Sequence, residues 1–380
     1  MKKQIAIAAG LAILSTGALA SKARLQALGE DTFGSLFIDD ARNVVLNPAT
    51  LNYHKDFVTM EWGDTSKTAD SAATPKAEGG MFKASGNMVY GLYFGDESNT
   101  ANAIRSAAMG TNAVEESNVT SFYVAGDAGV QWGVKFTHHS FTDESQTNDV
   151  ESSAQRINVG IISGDIEAFA NIGLANKAED QDGDEFEGKG SYQVGVTYGM
   201  GDVDYMLEVR SITAEDADGD EFSANYTRLG VAKTYKLNEK STLWTSAWYK
   251  MDNTECNMDS LGTAATTCSN TVQVGAGEVK NTYLPVTVAL EVQAKEWLTL
   301  RGSVSHEVIG TTEADNGDEV TRANTTTVNA GASLLFGDLT VDGMIGNTNN
   351  NTTVTESTTG GNGTLRTDAL MSRVSMTYKF

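Results

Sequence analysis

The sequence predicts an all-β protein, a transmembrane antiparallel β-barrel of about 16 strands with short turns at one end and long loops at the other. Three observations predict it: short segments that alternate apolar and polar residues, tight turns at near-constant spacing, and a last strand with one oily and one wet face. In Leu370–Phe380, residues Leu370, Val374, Met376, Tyr378 and Phe380 share one side, interrupted by Ser372. Arg373, Ser375, Thr377 and Lys379 share the other with Met371, as the two-residue period of a strand requires. Val130, Trp132, Val134 and Phe136 alternate with Gln131, Gly133, Lys135 and Thr137 in the same way. So do Val286, Val288, Leu290 and Val292 with Thr287, Ala289, Glu291 and Gln293, and Leu298, Leu300 and Val304 with Thr299, Arg301, Ser303 and Ser305.

Tight turns are expected at Gly126-Asp127, Gly164-Asp165, Gly201-Asp202, Asn238-Glu239, Lys295-Glu296 and Gly337-Asp338, where small or polar residues suit two-residue hairpins. The first four recur every 37 or 38 residues. That length holds two crossing strands of roughly 9–11 residues, one turn and one longer loop. Fourteen strands is the alternative, because Gly79–Ser85 and Met88–Phe94 are weakly patterned. A soluble sandwich or solenoid would also alternate, but tight turns at one end and long acidic loops at the other favour a membrane barrel.

The amino terminus reads as a secretory leader over residues 1–20: Lys2 and Lys3, an apolar run from Ile5 to Leu14, then Ala18-Leu19-Ala20. No later run approaches the ~20 apolar residues of a membrane helix. Loss of the leader moves the formal charge from −23 to −25. An acidic chain without clustered Lys and Arg disfavours nucleic acid as a partner and makes cations the natural counterpart. Cys256 and Cys268 lie in a polar segment of an exported chain, and their even count and short spacing predict a loop disulfide.

The aromatic carboxy-terminal strand resembles the assembly signal of Gram-negative outer-membrane β-barrels. That resemblance implies outer-membrane lipids, lipopolysaccharide and the barrel assembly machinery as partners. Porins among these barrels are often trimers, which implies a homo-oligomer. Residues 21–54 fall outside the hairpin pattern. They contain Ala27-Leu28-Gly29, Asp39-Asp40 and Asn47-Pro48-Ala49-Thr50-Leu51. This order resembles the opening of barrels related to the long-chain fatty-acid transporters, in which an amino-terminal segment forms a hatch. The resemblance implies a luminal plug whose most specific residues are Asn47, Pro48 and Ala49; a periplasmic tail with one short helix is the alternative. Residues 55–380 are then the barrel. Fatty-acid transport needs a greasy pocket, whereas the wet strand faces carry charge.

Two acidic motifs invite a metal reading: Asp180, Asp182 and Asp184 around Gly183, and Asp216, Asp218 and Asp220 around Gly219. Alternating carboxylates are how Ca2+ loops gather oxygen ligands, and Mg2+ is the other candidate, yet the remaining loop positions are wrong. Asp-Gly hairpin tips are preferred, and no cofactor is required. His138 and His139 are adjacent on a strand and point to opposite faces, and no nucleophile constellation appears, so no enzyme is expected. Trp62, Trp132, Trp244, Trp248 and Trp297 are expected in interface belts. The segment 98–117 is long enough to fold inward, or to form an ordinary surface loop. Lys135, Glu208, Arg210, Arg228, Glu291, Arg301 and Arg373 are the expected pore-lining residues. The function expected is a porin: passive diffusion of ions and small polar solutes with weak cation preference. The alternatives are a gated transporter of hydrophobic substrates and a non-conducting surface barrel.

Overall fold

The computed structural model describes residues 21–63, 77–96, 101–102, 105, 114–116, 118–145, 149–183, 185–216, 219–256, 277–314, 319–321, 326–347 and 370–380. The expected leader lies outside them, as does Cys268. The chain forms one closed antiparallel sheet. Its strands are β1 (Phe57–Trp62), β2 (Glu78–Ser85), β3 (Met88–Phe94), β4 (Thr120–Asp127), β5 (Gln131–Asp143) and β6 (Val150–Ser163). Next come β7 (Ile166–Glu179), β8 (Glu185–Met200), β9 (Val203–Asp216), β10 (Glu221–Asn238), β11 (Ser241–Cys256) and β12 (Gly277–Lys295). The wall is completed by β13 (Leu298–Ala314), β14 (Glu319–Thr321), β15 (Thr326–Phe336), β16 (Leu339–Asn347) and β17 (Leu370–Lys379). The short β14 and the longer β15 both pair with β13, as two pieces of one stave, so the 17 strands make a barrel of sixteen. The weakly patterned pair is built as β2 and β3, which excludes fourteen.

The barrel closes between β1 and β17, with Phe57 opposite Lys379 and Trp62 opposite Val374. The Phe380 amide donates to the Asp56 carbonyl at 3.0 Å, so the last residue completes the seam. Closure matters because an open sheet edge cannot be left unpaired in lipid. The outer face carries the exposed apolar side chains, among them Met60, Phe122, Val194, Leu229, Val288 and Tyr378. Arg373, Ser375 and Thr377 of β17 are buried inside, and Val374, Met376 and Tyr378 face out. An apolar surface of this extent around a closed sheet is a lipid-facing belt.

All the tight turns share one end. Gly86, Gly164, Gly201 and Gly337 hold φ between 61° and 74°, the left-handed backbone that two-residue hairpins demand. The turn expected at Gly126-Asp127 falls two residues later: those residues end β4, and the chain reverses through Ala128–Val130. Two tryptophans also depart from the belt. Trp244 is buried inside against the amino-terminal segment, and Trp248 lines the lumen. Even-numbered residues of β11 face inward, so strand parity overrides the general preference of tryptophan for interfaces. No helix among the described residues is long and apolar enough to cross a membrane.

Candidate luminal passage

Residues 21–54 form three short turns, each started by a capping side chain. Ser21 Oγ accepts from the Arg24 amide and begins helix α1 (Lys22–Ala27). Asp40 accepts from the Arg42 amide at 2.7 Å before the 3₁₀ turn Ala41–Val44. Asn47 accepts from the Ala49 amide at 3.1 Å before Pro48–Asn52, where Pro48 occupies the first position, whose amide has no partner to lose. None of these turns is long enough to be stable alone. They are held by burial against inward-facing wall residues. Ala41, Val44, Val45 and Leu51 pack with Phe57, Phe82, Val89, Tyr93 and Tyr123 of β1–β4. Leu25, Leu28 and Ile38 pack with Trp244 and Ala289.

Two buried ionic knots add direction. In the first, Arg24 meets Asp40 at 2.6 Å and Glu291 of β12 at 3.0 Å. Arg301 of β13 meets the same Glu291 at 3.0 Å and Asp342 of β16 at 2.9 Å, while Ser21 Oγ donates to Asp342 at 3.1 Å. In the second, Arg42 meets Glu78 at 3.0 Å and donates to the Tyr93 hydroxyl at 2.7 Å; Lys22 also reaches Glu78 at 2.7 Å, and its amide donates to Glu61 at 2.8 Å. Lys135 pairs with Asp96 beside it. Burial alone would lower the Arg24 and Arg42 pKa values; the carboxylates around them more than reverse this, and both guanidiniums stay charged. At the tight-turn end, His54 Nε2 lies 2.8 Å from Asp39. Burial opposes the charged imidazole, but the Asp39 carboxylate outweighs it and raises the His54 pKa.

Asn47, Pro48 and Ala49 sit in a notch made by a cross-strand glycine pair. Gly133 of β5 stands opposite Gly160 of β6. A Cβ at Gly133 would overlap the Pro48 carbonyl, and one at Gly160 would overlap the Asn47 side chain. The notch is fastened by Asn158 Nδ2 donating to the Val45 carbonyl at 3.1 Å and Asn52 Nδ2 to the Trp132 carbonyl at 3.2 Å.

What remains open is a cavity of about 660 Å³ between this segment and the wall from β5 to β13. Of the expected pore-lining residues, Lys135, Glu208, Arg210 and Arg228 line it. Glu291 and Arg301 do not; they bind the amino-terminal segment or the knot beside it, and Arg373 is buried on the inner wall of β17. The wet face of a strand is legible from alternation, but whether water or another segment wets it is not. Two inward rows cross the open wall: Gln193, Arg210 and Tyr226 stand opposite one another on β8, β9 and β10, and Glu208, Arg228 and Lys250 on β9, β10 and β11. The Tyr226 ring lies between Arg210 and Arg228, whose guanidinium carbons are 5.7 and 5.9 Å from its centroid. From the plug side Glu30 enters the cavity. Burial pushes its pKa up to about 7, although the Ser35 hydroxyl and Lys250 favour its charged form.

The described part of segment 98–117 folds inward. Arg105 is fully buried and donates to the carbonyls of Val114, Ser153 and Lys177 and to Asn176, and Glu116 pairs with Arg156 at 2.6 Å. Sequence reasoning pointed to this segment but not to Arg105, nor to Arg24, Arg42, Asp342 or Lys250; the available signal was charge in short segments that otherwise read as apolar. The calcium motifs gain no support. Asp180 accepts from the Asp182 amide at 2.9 Å and its carbonyl accepts from Gly183, so it shapes a hairpin tip. Asp184, Asp218 and the Asp216 side chain lie outside the described residues, among which no cluster of three metal-ligating side chains occurs. The expected Cys256–Cys268 pairing also lies outside them.

No family model matches the sequence, and no curated protein matches it. Among solved structures the chain is similar to a bacterial polysaccharide outer-membrane secretin (8% identity, 85% of this chain and 97% of that one, TM-score 0.45). It is similar to a porin (11%, 85% and 99%, 0.40) and to the toluene transporter TbuX of Ralstonia pickettii (10%, 96% and 99%, 0.40). Closure, the lipid-facing belt and the division into tight turns and long loops make the chain a multi-pass outer-membrane β-barrel.

Proposed function

We propose that the protein is a restricted outer-membrane channel: a porin-type barrel in which residues 21–54 fill one side of the bore and small polar solutes pass along the other. The observation that carries this reading is the chemistry of the open wall. Asn171, Gln193, Glu208, Arg210, Arg228 and Lys250 line it, groups that solvate ions and hydroxylated solutes and repel a long apolar chain. Asn171 donates to Gln193 at 2.9 Å and Gln193 to Glu208 at 3.1 Å, so the polar row is held in place. Glu30 and Asp31 of the amino-terminal segment line the same cavity as Arg210, Arg228 and Lys250 of the wall, so acid and base both act on whatever enters it, within reach of a Debye length of ~8–10 Å. Outer-membrane lipids and lipopolysaccharide are the partners this reading implies, with association into homo-oligomers.

Single-channel recording in planar bilayers tests it. The expected result is a small, steady conductance, lower than an unobstructed sixteen-stranded bore would give. Silence in the bilayer together with no uptake of small sugars into liposomes would sink the reading. It would favour either a transporter that opens only for a hydrophobic substrate or a barrel that displays its loops.

A further inference from the structure

The open cavity carries its charges on opposite sides. Arg210 of β9, Arg228 of β10 and Lys250 of β11 come from the wall, and Glu30 and Asp31 come from the amino-terminal segment. Register sets the cations side by side: Arg210 stands opposite Tyr226 and Arg228 opposite Lys250, while Tyr226 and Arg228 are two apart on one face of β10. The acids are aimed by the turn that ends α1. The Gly29 amide donates to the Gln26 carbonyl at 3.0 Å and the Glu30 amide to the Leu25 carbonyl at 2.9 Å, a helix stop that needs the left-handed φ of 82° at Gly29. Gly29 also lies on the wall, where a Cβ would come within 2.9 Å of the Thr287 methyl and 3.1 Å of the Ser303 hydroxyl. The next two residues therefore enter the cavity. Ser35 Oγ donates to Glu30 at 2.8 Å, and Asp31 accepts from the Phe33 amide at 3.1 Å.

The two sets act on one another without closing. Asp31 acts through space on Arg210, Arg228 and Lys250, and Lys250 acts on Glu30. Among the described residues no ion pair joins them, and Arg210 and Lys250 are in no ion pair at all. Each is set against a ring instead, Arg210 at 5.7 Å from the Tyr226 centroid and Lys250 at 5.7 Å from that of Tyr283. The nearby wall acids are already bonded: Glu208 accepts from Gln193 at 3.1 Å and lies 3.8 Å from Arg228, and Asp252 accepts from the Tyr283 hydroxyl. By contrast Arg24, Arg42 and Arg301 each meet a carboxylate at 3.0 Å or closer. A gap between unclosed cations and acids favours a solute that bears both charges a short distance apart. A lone anion is repelled by Glu30 and Asp31, and a lone cation by the three bases. Trp248 and Pro285 line the cavity two residues nearer the tight turns, on the strands that carry Lys250 and Tyr283. The Trp248 indole lies on Gly230, where a Cβ would be 2.6 Å from the ring, so an apolar surface borders the charges.

We propose that the cavity holds a saturable site for a zwitterionic α-amino acid with an apolar side chain. The carboxylate lies at Arg228 and Lys250, the ammonium at Glu30 and Asp31, and the side chain over Trp248. The site rests on the open cavity of the channel reading and names its solute class, while its test needs no conduction.

Isothermal titration of the full chain in detergent micelles tests it, at a pH above about 7 where Glu30 is charged and with empty micelles as the blank. Three ligands share one ring: phenylalanine, hydrocinnamate, which lacks the ammonium, and phenethylamine, which lacks the carboxylate. Phenylalanine should bind about ten-fold or more tightly than either, the worth of one charge-assisted hydrogen bond. Asp31→Asn should weaken phenylalanine and phenethylamine several-fold and strengthen hydrocinnamate. Lys250→Gln should weaken phenylalanine and hydrocinnamate and strengthen phenethylamine. Opposite responses of the two analogues are a readout that loss of fold does not mimic. The site is overturned by a lack of saturable phenylalanine binding, by an analogue bound as tightly, or by variants that move all three ligands together. Conductance that persists in such a case leaves the channel standing without the site. Phenylalanine bound by a protein silent in bilayers supports the site and sinks the channel alone.

Discussion

The two halves of the lumen are built on the same strand alternation and end in opposite conditions. Along β1–β4 and β12–β17 many inward side chains are taken up by the amino-terminal segment, through an aromatic cluster at Phe57, Phe82 and Tyr123 and through Glu61, Glu78, Glu291 and Asp342. Across β7–β11 the inward Asn171, Gln193, Glu208, Arg210, Arg228 and Lys250 line open space. The difference teaches that charge on a wet strand face has two uses. Where a complementary segment is tethered nearby it becomes a buried fastener, and where none reaches it solvates whatever passes.

The comparison breaks most visibly if the occupied half is emptied. Deleting residues 22–52 should raise single-channel conductance many-fold and blunt solute size selection, read in planar bilayers and by liposome swelling. An unchanged conductance would mean that the segment does not obstruct the bore. Arg24→Leu is the next largest effect, because it removes the ion-pair partner of the buried Asp40 and leaves Glu291 with Arg301 alone. A loss of about 3–5 kcal/mol is expected for breaking a buried pair. It should appear as earlier release of the segment, measured by proteolysis of the folded protein at rising urea concentration. Gly160→Val attacks the notch instead, and overpacking against Asn47 should cost about 1–3 kcal/mol. It should weaken the same proteolytic protection without changing the heat-modifiable band shift of the barrel.

The smallest effect sharpens the open half. Glu30 has its pKa raised to about 7, so it is neutral below that value and adds a negative charge to the cavity above it. Asp31 from the same segment and Lys250, Arg228 and Glu208 from the wall are the charged groups that face it. Raising pH through about 7 should therefore shift the reversal potential in a salt gradient toward cations. Glu30→Gln should remove that shift. A pH response that survives the substitution would assign it to another group.

Much of the architecture was legible because a membrane strand must alternate along its whole length. The alternation of Val374, Met376 and Tyr378 with Arg373, Ser375 and Thr377 is reproduced residue for residue, and the turns at Gly164, Gly201 and Gly337 fall where expected. The weakly patterned β2 and β3 were hard to read for the same reason. Their inward faces carry Phe82, Val89 and Tyr93 to meet a plug, so both faces are apolar and the period fades. Within the candidate site, Lys135, Glu208, Arg210 and Arg228 were readable as inward charges. Glu291 and Arg301 were readable as inward but not as fasteners, since Glu291 pairs with Arg24, 267 residues away in the chain, and Arg301 joins the knot through Glu291.

The sequence by itself determined which side of the well-patterned strands meets lipid and where most of the hairpins turn, because these depend on local period and on the φ of single residues. Only the tertiary structure decided which inward charges fasten the amino-terminal segment and which line the open cavity. Those outcomes depend on segments distant in sequence meeting inside one closed wall. The glycine pair at Gly133 and Gly160 shows why: each is an unremarkable strand residue until register sets them opposite one another and Asn47 and Pro48 fill the space they leave.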